Sequence, residues 1–249
     1  ELTRAVTPDK YSLERYLPPS LSQGNTGMCV AYSLASCRTI LYAKNKNLYD
    51  EKDIVSNTFS PFFLYSLCMP ANNNNCASGL DPLVALYTLK KHGIAKLFDV
   101  EYPSYYPFTE NRLLCDGYPT SFEDDIVQAS IYNIDGYDKV TNVIQIKESI
   151  AKGNPILFGF DPLPMSFNTL WGKEFWEPNK LFLCFYQDSK LEHTCNNSTN
   201  SMSGLCSTHK PSNWKSEMGH AMTLIGYDDN KYGGAFLILN SWGIDFGVN

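Results

Sequence analysis

The sequence is short of charge. Of its 249 residues only 18% are Asp, Glu, Lys or Arg, and the formal balance is −6. Binding nucleic acid calls for a basic face that neutralises phosphates, so that class is disfavoured. Long apolar runs are also missing. "PILFGF" and "AFLIL" fall well below the roughly 18 consecutive apolar residues of a membrane span, and they read as buried strands. The first twenty residues, "ELTRAVTPDKYSLERYLPPS", hold no apolar signal core. That reads as a soluble chain, or as a mature form whose targeting segment is gone. No Cys-x-x-Cys pair occurs, which removes the usual half of a structural zinc site. Histidine is scarce, with four in the chain, and this narrows the search for a catalytic base.

What is present is apolar and rich in cysteine. A hydrophobic content of 43% supports a sizeable core, as one large domain or as two lobes sharing an interface. The eight cysteines are Cys29, Cys37, Cys68, Cys76, Cys115, Cys184, Cys195 and Cys206. That is many for a cytosolic enzyme, so disulfides in an oxidising compartment are expected: secreted, periplasmic or lysosome-like. "EHTC" and "CSTH" could together offer His193, Cys195, Cys206 and His209 to a zinc ion. A disulfide closing the polar loop between Cys195 and Cys206 is the preferred reading, with no metal and no cofactor.

The pattern changes along the chain. Residues 1–20 read as an extended, proline-bearing strap. From Cys29 through Lys44 no glycine or proline interrupts a run of helix formers. Ser60 and Pro61 read as the N-cap and first residue of another helix, as do Asp81 and Pro82. In that second case Leu83, Leu86 and Leu89 mark an apolar face, and Gly93 ends the helix. His92, beside Gly93, fits a C-terminal capping role. The second half holds one amphipathic helix, "VIQIKESIAKG", and then "NPILFGF" as a strand. "HAMTLIGYDD" and "GGAFLILNSW" flank the turn-rich "DDNKYGG" and read as a hairpin. The stretch 162–218 reads mostly as inserted surface loop. Its Asn196 and Asn197 each begin an N-x-Ser/Thr sequon, a glycosylation signal only in a secreted eukaryotic protein. The expected class is α+β: a helical lobe over 21–125, then a β-rich lobe over 126–249.

One stretch carries chemistry. "SQGNTGMCVAYSLASC" sets Cys29 where a polar, glycine-bearing loop meets a helix, six positions after Gln23. A thiol attacks a carbonyl as thiolate. A helix N-terminus favours that negative charge, and a neighbouring imidazolium does too. Of the histidines, His193 and His209 lie in the polar loop, whereas His220 opens a strand in "MGHAMTLIGY". Asn240, in "LNSWG", ends the partner strand of the hairpin, so strand pairing brings the two ends together. An amide oxygen there can accept the imidazole N–H and fix the ring, completing a nucleophile, base and orienter. Taken singly, each has a plainer reading: a packed helix thiol, a satisfied core histidine, a turn asparagine.

Taken in order, "QGNTGMCVAYS", "GHAMTLIGY" and "LNSWG" resemble the three active-site motifs of the papain-type cysteine peptidases. The resemblance extends over most of residues 11–246. It implies a two-lobe fold, with a helical lobe, a β-barrel-like lobe and the cleft between them. It implies Cys29 as nucleophile, His220 as base and acid, Asn240 as orienter, Gln23 as oxyanion-hole donor and Trp242 as a shield over the histidine–asparagine bond. "NNNNCASGLDP" resembles the glycine-bearing loop whose backbone meets substrate, which points to Ser78 and Gly79. Leu80, Ala221 and Gly159 would line a pocket for a bulky apolar side chain. The implied partner is a protein or peptide substrate, and the leading activity is endopeptidase. Exopeptidase or transpeptidase action would use the same residues. A papain-fold binding protein whose catalysis has lapsed is the non-enzymatic alternative, and the intact four-residue set argues against it. A transglutaminase-like enzyme would need an aspartate where Asn240 stands.

Departures from the family pattern are as informative. Thr26 replaces a cysteine that secreted members pair with the one matching Cys76. Met28 and Val30 stand where a small residue and a tryptophan are typical, and are expected to reshape the cleft. Cys68 and Cys115 match a family disulfide. Cys29 and His220 lie 191 positions apart (220 − 29), beyond the roughly 130–150 expected, and the excess falls in the inserted loop. The chain stops a few residues after Trp242, where the family continues with further strand, so a truncated chain or a differently finished lobe is expected. No segment resembles the family's inhibitory propeptide, which suits a mature form or one controlled differently.

Overall fold

The structure is a computed structural model of the chain, and it describes residues 7–69, 76–99, 122–160 and 219–243. The chain divides into two compact units. One is Glu1–Phe158 with Ala221–Gly243, and the other is Gly159–His220 with Ile244–Asn249. Nearly all described residues belong to the first. Cys115, Cys184, Cys195, Cys206, His193, His209, both sequons and the inserted loop lie outside the described residues.

The first unit is built on α1 (Cys29–Lys46). From Cys29 to Ala35 every residue of this helix is buried, and Cys37, Thr39, Ile40 and Ala43 are buried beyond it. A helix buried on every side over its first two turns belongs at the centre of a domain. It ends at Asn47 in the left-handed conformation, whose N–H reaches back to the Ala43 and Lys44 carbonyls. Against it pack α3 (Pro61–Cys68) and α4 (Pro82–His92). The core holds Leu34, Phe59, Phe63, Leu64, Leu89 and Ile94, each at most 2% exposed. Burying side chains of that size stabilises by about 1.5–3 kcal/mol apiece.

Local chemistry sets the helix ends. Ser60 Oγ accepts from Phe63 N–H at 3.1 Å, with Pro61 next in line. Asp81 Oδ1 accepts from Leu83 N–H at 2.7 Å and from Val84 N–H at 3.2 Å. Asn142 caps α6 (Val143–Ala151) through Gln145 N–H, while Gln145 Oε1 accepts from Thr141 N–H at 2.8 Å. This is a reciprocal cap. The expected inward face of α4 needs correction. Leu83 is 66% exposed, and the buried residues are Ala85, Thr88 and Leu89. An i, i+3, i+4 stripe starting at a small residue lets the helix approach the core closely. Starting at Leu83 would turn that stripe outward. Two further helices, α2 (Glu51–Ser56) and α5 (Phe122–Ala129), complete the helical set among the described residues.

The sheet has four strands: β1 (Lys10–Ser12), β2 (Ile156–Phe160), β3 (His220–Asp228) and β4 (Ala235–Leu239). β3 is central. It neighbours β2 and runs antiparallel to both β1 and β4. Among the described residues this sheet is open, so the expected barrel-like form is corrected. β1, with three residues, and β4, with five, are too short to bring two edges together. A bulge lies between Leu224 and Gly226, and at Gly226 an added Cβ would sit 2.9 Å from the Tyr11 carbonyl oxygen. The strap residues belong to this sheet: Leu13 N–H donates to Ile225 O at 2.8 Å, and Tyr227 OH donates to Pro8 O at 2.8 Å.

α1 and β3 meet through buried polar groups. Thr223 Oγ1 donates to Ser33 O at 3.1 Å, and Cys37 Sγ lies 3.8 Å from Thr223 Oγ1. Burial pushes the Cys37 thiol up to about 12 from its ordinary 9.0. Burial also raises the Tyr32 phenol. A folded-state pKa above the unfolded one means that the unfolded chain loses its proton first. The contribution of Cys37 is therefore intact below pH 9.0 and is lost as pH rises toward about 12. Cys37→Ala should flatten the fall in stability above about pH 9. Denaturant titrations at stepped alkaline pH measure that slope directly.

Candidate active site

Cys29 is the first residue of α1, and Met28 takes the N-cap position without a side-chain cap. Cys29 thus opens an eighteen-residue helix whose first N–H groups have no acceptor within the helix. Cys29 is 8% exposed and shares the main core cluster with Ala221, the residue after His220; Leu80 packs against the same cluster. His220 is the first residue of β3 and is 6% exposed. Asn240 follows Leu239, whose partner on β3 is Thr223, three residues along that strand from His220.

The loop before Cys29 is held in place by its neighbours. Gln23 N–H donates to Ser241 O at 2.8 Å, and Ser22 bridges to Trp242. Ser241 Oγ donates to Gln23 Oε1 at 2.6 Å, while Gln23 Nε2 donates to Thr26 O at 2.7 Å. An amide with its oxygen fixed by a hydroxyl and one N–H fixed by a carbonyl has one orientation, and its second N–H is set in direction. Thr26 Oγ1 returns a bond to Gln23 O at 2.7 Å. At the position where the family pattern has a disulfide cysteine, a hydroxyl therefore closes the loop. Ser241 N–H donates in turn to Asn240 Oδ1 at 2.8 Å. One serine thus links Gln23 and Asn240. Ser241 lies inside "LNSWG", where residue type alone does not signal this role.

Residues 76–79 lie alongside. Gly27 N–H donates to Cys76 O at 2.7 Å. An added Cβ at Gly27 would run into the Ser78 backbone and lie 2.7 Å from Ala77 O. The expected substrate-side residues Ser78 and Gly79 are exposed, and no atom lies within 4 Å of a Cβ built on Gly79. Gly27→Ala should cost about 1–3 kcal/mol, because backbone rather than a flexible side chain must move. Chemical denaturation would register the loss, and peptide turnover should fall with it.

One expectation changes here. Met28 and Val30, on either side of Cys29, are 5% and 4% exposed and belong to the core. Cys68 carries a free thiol, which overturns the expected Cys68–Cys115 disulfide. It points into the first unit, packing against the core, and its thiol is raised by burial while Thr88 lowers it. Cys29 and Cys37 are likewise free thiols, whereas Cys76 is disulfide-bonded. Alkylating the denatured, unreduced protein and mapping its peptides should mark Cys29, Cys37 and Cys68 and spare Cys76. Gly159, the other expected pocket residue, is an exposed position of β2 in the second unit. Among the described residues no group of His, Cys, Asp and Glu is placed to hold a metal ion, and no helix is long and apolar enough to cross a membrane.

The fold these elements build is that of the papain-like cysteine proteases. Xylellain, a cysteine protease from Xylella fastidiosa, superposes with a TM-score of 0.65 at 22% identity, over 98% of this chain and 78% of that one. Procathepsin L 3 of the Tenebrio molitor larval midgut gives 0.62 at 14% identity, over 98% of this chain and 63% of its own. The cysteine protease CMS1MS2 of Carica candamarcensis, solved with E-64, gives 0.56 at 18% identity, over 96% and 85%. No family model and no curated protein matches the sequence.

Proposed function

We infer that this chain is a papain-type cysteine peptidase acting on protein or peptide substrates. The observation that supports it most is the joining of Gln23, in the loop that leads to Cys29 at the head of α1, to the Asn240–Ser241 segment by a 2.6 Å hydrogen bond. Cys29 would attack the peptide carbonyl as thiolate, forming a C–S bond. The carbonyl oxygen, turning anionic, would accept from the Cys29 backbone N–H and from the second N–H of Gln23. His220 would carry the thiol proton and give it to the leaving amine as the C–N bond breaks. Water, deprotonated by the same imidazole, would then cleave the thioester and release the acid. Asn240 would orient the ring, and Trp242 would keep water from that bond. Gly79 would offer its backbone to an extended substrate, and Leu80, Ala221 and Gly159 would border the main side-chain pocket. Endopeptidase action is the preferred mode, and a secreted, periplasmic or lysosome-like compartment suits the cysteine content.

Incubation with a mixed peptide library, followed by mass spectrometry of the products, tests this reading. Internal cleavages that stop after thiol alkylation are expected. Products shortened only from one end would replace endopeptidase by exopeptidase. Absence of any product would remove the enzyme reading and leave a papain-fold binding protein.

A further inference from the structure

Tyr65 lies in α3 and contributes no atom to the proposed chemistry, yet its hydroxyl donates to Ser78 O at 2.7 Å. The side chain is 3% exposed and packs in a small apolar cluster with Met28, Tyr32 and Cys76. Met28 immediately precedes Cys29, and Cys76 precedes Ala77 and Ser78. One ring therefore touches the cluster that seats the nucleophile loop, and its oxygen holds the segment leading to Gly79. From the other side, Gly27 N–H donates to Cys76 O at 2.7 Å. Residues 76–78 are thus fixed at two carbonyls two positions apart, while Gly79 just beyond stays exposed and uncrowded. An exposed backbone segment held rigidly at one end offers its N–H and C=O groups to a peptide strand. Its affinity depends on being pre-set, since a mobile edge must be ordered on binding.

We propose that Tyr65 is a positioning residue that fixes the Ser78–Gly79 backbone as the edge to which an extended peptide pairs. This rests on the reading of Gly79 as substrate-binding. Losing a neutral hydrogen bond of this kind lowers affinity about five- to tenfold. The test uses Tyr65→Phe, which keeps the ring and deletes the hydroxyl. The probe is a fluorescein-labelled hexapeptide with leucine two residues before its central bond, bound to the Cys29→Ala protein and followed by anisotropy. A second peptide carries an N-methyl group on that leucine, which removes its backbone pairing. Tyr65→Phe should weaken the first peptide about five- to tenfold and leave the second unchanged. Equal weakening of both peptides, no weakening of either, or no binding of the first peptide before Tyr65 is changed would overturn the proposal. In the protein with Cys29 intact, the same change should raise KM and spare kcat. If that protein shows no turnover while Tyr65-dependent binding persists, the peptidase reading fails and the positioning role stands.

Discussion

Cys29→Ala is expected to abolish peptide turnover, lowering kcat/KM by about 10⁴-fold or more. Nothing else in the proposed set can form the thioester. Gln23 is an amide, Asn240 is an amide, and His220 is the proposed proton carrier. The free thiols of Cys37 and Cys68 cannot substitute. Cys37 is buried against Thr223, and Cys68 sits at the far end of α3 with its thiol raised by burial. Stability should change little, by about 1 kcal/mol, since one sulfur is removed at a helix start. Progress curves with a fluorogenic peptide, run beside thermal unfolding, separate the two effects. Turnover within tenfold of the parent would assign the chemistry elsewhere.

Gln23→Ala should lower kcat about 10²- to 10³-fold with a much smaller change in KM. The donor acts on charge that develops in the transition state, so substrate binding is largely spared. The side chain is 8% exposed, and its amide is already oriented by Ser241 and Thr26, so no reorganisation is needed during reaction. Removing it leaves Ser241 Oγ without its 2.6 Å acceptor, at a stability cost of about 1–2 kcal/mol. Ser241→Ala keeps the donor but frees the amide to turn, and a smaller loss of about tenfold is expected. A raised KM with kcat unchanged for Gln23→Ala would mark a binding role and contradict the oxyanion reading.

The elements with strong local signals were legible in the sequence. α1 begins at Cys29, α3 and α4 begin after Ser60 and Asp81, and β3 and β4 form the expected hairpin. Each is set by neighbours in sequence: a cap, a proline, a turn. What escaped depends on tertiary contact. The outward turn of Leu83 follows from how closely Ala85 lets α4 approach the core. The six-residue α2 is closed at both ends, Asp50 Oδ1 accepting from Lys52 N–H at 2.9 Å and Asn57 Nδ2 donating to Asp53 O at 2.8 Å, but it is too short for a helical period to show in the sequence. The free thiol at Cys68 could not be read from spacing, because pairing is decided by geometry between distant segments. At the site, Gln23, Cys29 and Asn240 stand out by motif. Ser241, Thr26 and Tyr65 act through hydrogen bonds to backbone and amide atoms, for which residue type alone gives no signal.

Cys29 is the thiol proposed to react. An epoxide inhibitor of thiol peptidases, reacted with the folded protein and located by peptide mass mapping, measures this directly. The expected result is one adduct per chain, on Cys29, which His220→Ala abolishes. Labelling of Cys68 or Cys37 in place of Cys29, or labelling of Cys29 that is indifferent to His220, would contradict it.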